Sequence, residues 1–286
     1  MAQCANESNE QQLTLRMTDG YQLSYRLWRA TKPTATVVLL NGVMSHSQWF
    51  APLAEVLNKS NVDVIGADRR ESGINKQSCG DALSRQQLVL DVKQIINVYK
   101  DDARPLYLLG WCWGAALAIN VALELGDDLN GLALLAPGIY PSDTVHKRIT
   151  QQQDRIRETE LSLDEPCLDN PINEEMYTDS KWLEDYILKD KLRLRTITPR
   201  FFGIMLKMSA NALLRLAEIN CPILLITANN DKAIDNEKTI EKFNQLDSKS
   251  ISMESCEAQH GMQFEVPDLL ASLLCNWMQR LEAGHV

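Results

Sequence analysis

Five short, mostly apolar runs constrain the fold of this chain most, because each one breaks off at a residue that ends a strand. Residues 36–40 run into Asn41-Gly42, residues 62–67 into Asp68, and residues 105–109 into Gly110. Residues 132–136 run into Pro137-Gly138, and residues 222–226 into Thr227 and a polar turn. Runs of this length without polar alternation fit strands covered on both faces, as in a parallel sheet. The segments between them carry apolar residues at helical spacing, at 49–57, 88–99, 115–125 and 269–281. Strand alternating with helix predicts an α/β fold, doubly wound around a mostly parallel sheet. Ligands in such sheets bind at the carboxyl ends of the strands.

Two stretches depart from this rhythm. Leu13, Leu15 and Met17 alternate with polar residues, and Asp19-Gly20 then turns the chain into a second half-buried strand at 21–28. This pattern predicts an antiparallel hairpin in front of the parallel strands. Residues 142–218 are rich in charge yet contain helical segments with apolar faces at 182–194 and 201–217. They read as an inserted helical cap. The expected organisation is a disordered tail at 1–11, a core formed by 12–141 and 219–286, and the cap at 142–218.

The length, 286 residues, and the 45% hydrophobic content suffice for one large core with a small insertion. A net charge of −9 argues against non-specific nucleic-acid binding. The seven cysteines are odd in number and contain no C-x-x-C pair, so zinc and thioredoxin-type redox chemistry have no support, and no metal or organic cofactor is expected. Free thiols in a reducing compartment are the simplest account. The polar, acidic first twelve residues contain no apolar core of a secretory signal, and no apolar run is long enough to span a bilayer. A cytoplasmic location without membrane contact is therefore expected.

The strongest local motif is Gly110-Trp111-Cys112-Trp113-Gly114, between an apolar strand and an Ala-rich helix. A strand–turn–helix of this kind with small residues two positions to either side presents the central side chain above the sheet. The helix N-terminus beneath it favours negative charge and so a thiolate. A buried structural cysteine between two glycines is the plain alternative. Of the four histidines, His260 alone follows a predicted last strand at 250–254, where an imidazole could act as a general base or be a plain surface residue; His46 lies beside the first loop, His146 in the insertion and His285 at the terminus. Asp231, Asp235 and Asp143 all follow strands and compete for the role of acid; each could equally serve a turn or a helix cap.

With these residues in place the chain resembles the α/β-hydrolase superfamily, near its capped lipase, esterase and thioesterase-like branch. The resemblance spans about residues 13–281. It rests on the Cys112 turn, on Leu40-Asn41-Gly42-Val43 where the family has H-G-x, and on residues 68–73 where it often has D-x-R-G-x-G. It rests further on Ala228-Asn229-Asn230-Asp231 where it has G-x-x-D, and on His260-Gly261 near the end. It implies a Cys112–His260–Asp231 triad with Asp231 as the acid, and an oxyanion hole formed by the backbone amides of Val43 and Trp113. Trp111, Trp49 and His46 are the expected substrate-binding residues, with Trp111 and Trp49 open to a core-packing reading. Two departures stand out. Asn41 replaces the histidine that commonly supports the oxyanion loop, and Cys112 replaces the commoner serine.

A thiol nucleophile forms a thioester, which passes its acyl group readily to thiols, amines or stabilised carbanions. The expected substrate is accordingly a small, activated and apolar acyl donor, free or bound to a carrier protein. Basic residues Lys191, Arg193, Arg195, Arg200 and Lys207 could meet an acidic carrier, or could simply be solvated. Hydrolysis, acyl transfer or cyclisation, and ligand binding without turnover all remain open, as does the oligomeric state.

Overall fold

The computed structural model describes residues 10–75, 80–101, 103–246 and 250–284. Cys4, Cys79 and His285 lie outside the described residues, as do residues 1–9 of the expected tail. Strand β1 (Glu10–Arg16) begins two residues inside that tail. It pairs antiparallel with β2 (Gln22–Trp28) across a turn in which Gly20 adopts φ 89°, the conformation Asp19-Gly20 predicts.

The remaining strands of the main sheet are β3 (Ala35–Leu40), β4 (Val62–Gly66), β5 (Leu106–Trp111), β6 (Gly131–Leu135), β9 (Ile223–Ala228) and β10 (Ile251–Cys256). The described sheet has eight strands in the order β1-β2-β4-β3-β5-β6-β9-β10. From β4 onward every pairing is parallel, and β2 joins β4 antiparallel. The five apolar runs are the consecutive central strands.

Period-2 alternation within those runs builds two cores. Val37, Leu39, Tyr107, Leu109, Leu224 and Ile226 face helices α1 (Ala51–Lys59) and α9 (Pro267–Glu282). Val38, Leu40, Leu106, Leu108, Ile223 and Leu225 face α2 (Arg85–Tyr99) and α3 (Trp113–Leu125). Each central strand is thus buried on both faces, which is why it reads as unbroken apolar sequence.

Between β6 and β9 the chain leaves the sheet and forms α4 (Asp143–Glu158), α5 (Lys181–Lys189) and α6 (Pro199–Arg215), with a two-stranded pairing of β7 (Leu168–Asp169) and β8 (Thr196–Ile197). Helix α4, capped by the Ser142 hydroxyl, and the small sheet were not foreseen from the sequence. Helix α5 stops at Lys189, five residues short of the expected 194. The reason is Asp190: its carboxylate accepts from the Leu192 amide (2.9 Å), the Trp49 indole (2.6 Å) and the His46 ring (2.7 Å), so the chain turns toward the core instead of continuing the helix. Among the described residues no helix is long and apolar enough to cross a membrane.

Candidate active site

The β5–α3 turn is as tight as its glycines allow. A Cβ on Gly110 would lie 2.5 Å from the Ala115 Cα, and one on Gly114 would lie 2.3 Å from the Leu40 carbonyl oxygen and 2.6 Å from that of Asn41. Cys112 is a non-glycine residue at φ 56°, in the sparsely populated left-handed region, which costs about 1–3 kcal/mol wherever it is imposed. Its backbone is pinned on both sides: its amide donates to the Leu135 carbonyl (3.1 Å), and its carbonyl accepts from Gly138 (2.8 Å) and Ala115 (3.1 Å). Cys112 is free of any disulfide and 6% exposed.

His260 and Asp231 approach from the carboxyl ends of β10 and β9. The His260 Nδ1 is 2.8 Å from the Asp231 Oδ2, and both side chains are fully buried. The other carboxylate oxygen accepts from the amides of Ala233 (2.7 Å) and Ile234 (3.0 Å), which orients the group toward the ring. Asp235 is used elsewhere: it caps α7 (Asn236–Asn244) through the Lys238 amide and pairs with the Lys238 ammonium. Asp143 sits exposed in the first turn of α4. Three contacts hold the His260 segment. The Trp111 indole donates to the His260 carbonyl (3.0 Å), the Gly261 amide donates to the Tyr177 carbonyl (2.7 Å), and the Trp111 ring lies 5.0 Å from the imidazole.

Burial is the largest influence on the imidazole and by itself disfavours its charged form. The Asp231 carboxylate, then the Cys112 charge and the hydrogen bonds of the ring, outweigh it and raise His260 to about 10. Among the described residues the Nε2 atom makes no well-formed hydrogen bond, and it is the ring atom left for Cys112. Burial, and next the Cys112 charge, hold the Tyr177 phenol protonated; it accepts from Asn170 Nδ2 (3.4 Å).

Beside Cys112 runs the loop that follows β3. Its carbonyls at Asn41, Gly42 and Val43 all accept from the buried Arg69 guanidinium, at 3.2, 2.9 and 2.5 Å. Asn41 Nδ2 ties the same loop to the Gly42 (2.9 Å) and Ser45 (2.5 Å) carbonyls. In the neighbouring motif Arg70 turns outward to Asp91 and Asp19, and Glu71 adopts φ 61°, the conformation that suits the glycine usual at that position.

A cavity of about 260 Å³ opens at Cys112. Val43, Met44 and Trp113 line its floor, and Val145, Ile149, Ile172, Tyr177, Phe202 and Met205 line its walls. Of the two tryptophans flanking Cys112, Trp113 faces this space while Trp111 is buried against His260. Trp49 and His46, expected at the substrate, do not line it; both bond Asp190 and fix the start of the 190–194 segment. The His46 Nε2 and the Trp49 indole nitrogen are committed to that anchor, which holds both side chains away from the cavity. His146 does line it. Phe201 packs edge-on against the Trp113 ring. Arg193 and Arg200 are paired with Glu174 and Asp81, and Arg195 bonds a backbone carbonyl, so these three have partners within the fold. Sequence reasoning missed Arg69 and Tyr177. For Arg69 the signal was a doubled arginine, Arg69-Arg70, in the loop that follows the buried strand β4; Tyr177 offered none, since it lies in an irregular part of the insertion.

The family model described as serine aminopeptidase, S33 matches residues 31–266. The phospholipase YtpA of Bacillus subtilis is 23% identical over 243 residues, covering 84% of this chain and 93% of that protein. The human monoglyceride lipase is 26% identical over 266 residues, covering 89% and 85%. A soluble variant of the monoglyceride lipase of Saccharomyces cerevisiae, solved with a substrate analog, superposes with a TM-score of 0.81 at 15% identity over 95% of this chain and 94% of that one.

Proposed function

For a chain that belongs to the serine aminopeptidase, S33 family of α/β hydrolases, we propose an ester or thioester hydrolase that works through a covalent acyl intermediate on Cys112. The observation that carries this reading is a buried His260–Asp231 pair whose remaining ring nitrogen is left for a thiol at the end of an apolar cavity. Asp231 holds the imidazole with Nε2 toward Cys112 and stabilises its charged form.

Cys112 Sγ attacks the acyl carbon, and the thiol proton resides on His260 Nε2. The amides of Val43 and Trp113 take up the oxyanion: neither has a recorded protein acceptor among the described residues, and Trp113 stands at the first position of α3, where amides lack an intrahelical partner. The bond to the leaving oxygen or sulfur then breaks, and His260 returns its proton to that atom. Water attacks the thioester carbon with His260 as base, releasing the acid and restoring the thiol. The apolar walls suit an acyl chain, and the relatives named for monoglyceride and phospholipid substrates support an acyl ester as donor. Residues 142–218 supply most of those walls and serve as the cap.

A second reading is favoured by one observation, the thiol itself: its thioester yields more readily to an amine or thiol than to water, so the same machinery supports acyl transfer. A panel of p-nitrophenyl acyl esters and acyl thioesters, followed for nitrophenol or thiol release with and without a competing amine, tests both. Turnover abolished by Cys112→Ala with the fold intact is the expected result. Undiminished turnover in that variant refutes both readings, and an amide product identifies transfer.

A further inference from the structure

The buried guanidinium of Arg69 takes no part in the mechanism above, and its surroundings are unusual for a cation. Arg69 is 6% exposed and, among the described residues, donates to no carboxylate. Its partners are three consecutive backbone carbonyls and the Ser72 hydroxyl (3.3 Å), with the Trp113 and Phe201 rings 5.5 and 5.8 Å from its central carbon. Burial lowers it to about 10, an effect that the Asp68 and then the Cys112 charges oppose, so it remains a cation at neutral pH.

The geometry of the peptide unit says what these bonds accomplish. No peptide bond of the described chain is cis. In a trans unit the carbonyl of one residue and the N–H of the next point in opposite directions. Fixing the carbonyls of Asn41, Gly42 and Val43 onto Arg69 therefore turns the amides of Gly42, Val43 and Met44 away from it. Among the described residues no protein group accepts from the Val43 amide, and Val43 lines the cavity with Cys112. The loop passes directly against the nucleophile, since a Cβ on Gly42 would stand 3.2 Å from the Cys112 Cβ. The Gly42 carbonyl accepts from Arg69 Nη1 (2.9 Å), Asn41 Nδ2 (2.9 Å) and Ser45 Oγ (3.3 Å). Three donors on one carbonyl polarise the peptide unit and strengthen the N–H at its other end.

We propose that Arg69 is the positioning residue of the oxyanion hole: it sets the orientation of the loop at 41–43 and, through the Gly42 carbonyl, the donor strength of the Val43 amide. It takes over the support that the family's usual histidine, here Asn41, would give, and the inference rests on the acyl-enzyme reading. The test separates a reaction that builds an oxyanion from one that does not. Acylation of Cys112 by a p-nitrophenyl ester passes through a tetrahedral anion, whereas its alkylation by iodoacetamide is a displacement with none.

Arg69→Lys keeps the charge and loses the fork; Arg69→Met keeps only the stem. Single-turnover acylation is expected to fall about 100-fold or more in Arg69→Met, the usual effect of losing an oxyanion donor. Arg69→Lys should recover part of that loss. In Arg69→Lys the KM and the alkylation rate should stay within about threefold of wild type, because ground-state binding and the thiol are untouched. Acylation near the wild-type rate in Arg69→Lys and Arg69→Met, or acylation and alkylation falling together in Arg69→Lys, overturns the proposal. Should Arg69→Met melt below the assay temperature, Arg69→Lys decides alone. If wild-type protein is not acylated on Cys112 at all, the mechanism fails first, and that result is distinct from failure of the Arg69 role.

Discussion

Gly114→Ala adds one methyl group where the start of α3 crosses the end of β3. The new Cβ would lie 2.3 Å from the Leu40 carbonyl oxygen and 2.6 Å from that of Asn41, both backbone atoms. Relief to an ordinary contact requires the helix start and the loop at 41–43 to separate by roughly 1 Å, and a misplacement of that size costs about a hundredfold in rate. Overpacking in a dense core adds a stability loss of about 1–3 kcal/mol. Gly203→Ala, in α6, is the matched control: nothing lies within 4 Å of its added Cβ, and replacing a helical glycine should stabilise by about 0.5–1 kcal/mol. The assay is thermal unfolding beside single-turnover acylation with a p-nitrophenyl ester. Gly114→Ala is expected to lower both stability and acylation, and Gly203→Ala to raise the first and leave the second. Wild-type acylation in a Gly114→Ala protein would refute the argument that the close approach of β3 and α3 sets the site.

Asp231→Asn should cut turnover by about 10³–10⁴-fold while leaving the fold intact, whereas Asp235→Ala should cost only about 1 kcal/mol of stability through its lost helix cap; parallel kinetics and melting check both. The pKa of His260 is raised in the folded state to about 10 from an ordinary 6.5, so the native protein holds a proton that the unfolded chain releases. Its contribution to stability is complete below about pH 6.5 and is lost as pH rises toward 10; wild type should lose melting temperature across that window more steeply than Asp231→Asn. Ile149→Trp should fill part of the cavity and raise KM for long acyl chains more than for acetyl, measured with p-nitrophenyl esters of graded length.

The sheet was legible because its strands are buried on both faces: residues 36–40, 105–109 and 222–226 read as unbroken apolar runs for that reason alone, and β3, β5 and β9 fall there. Motif order put His260 and Asp231 forward from the sequence, and their side chains stand 2.8 Å apart. The insertion was less legible. Helix α4 buries only Val145, with Ile149 and Ile156 half-buried, so its apolar face is a narrow line in a strongly polar sequence. The end of α5 depends on Asp190 reaching His46 and Trp49, residues some 140 positions earlier, and no local pattern can encode that contact. The same long-range bonds withdrew His46 and Trp49 from the substrate role their place beside the loop suggested. Arg69 escaped notice because its partners are backbone carbonyls, which leave no signature in side-chain spacing.

The central claim is that the sulfur of Cys112 carries the acyl group. Intact-protein mass spectrometry after rapid quenching from a p-nitrophenyl ester or acyl thioester measures this directly, with peptide mapping to locate the adduct. The account predicts a mass increase of one acyl group on the peptide containing Cys112, formed and consumed at rates that match turnover and absent in Cys112→Ala. Turnover with Cys112 unmodified throughout, or an adduct on another residue, would contradict it.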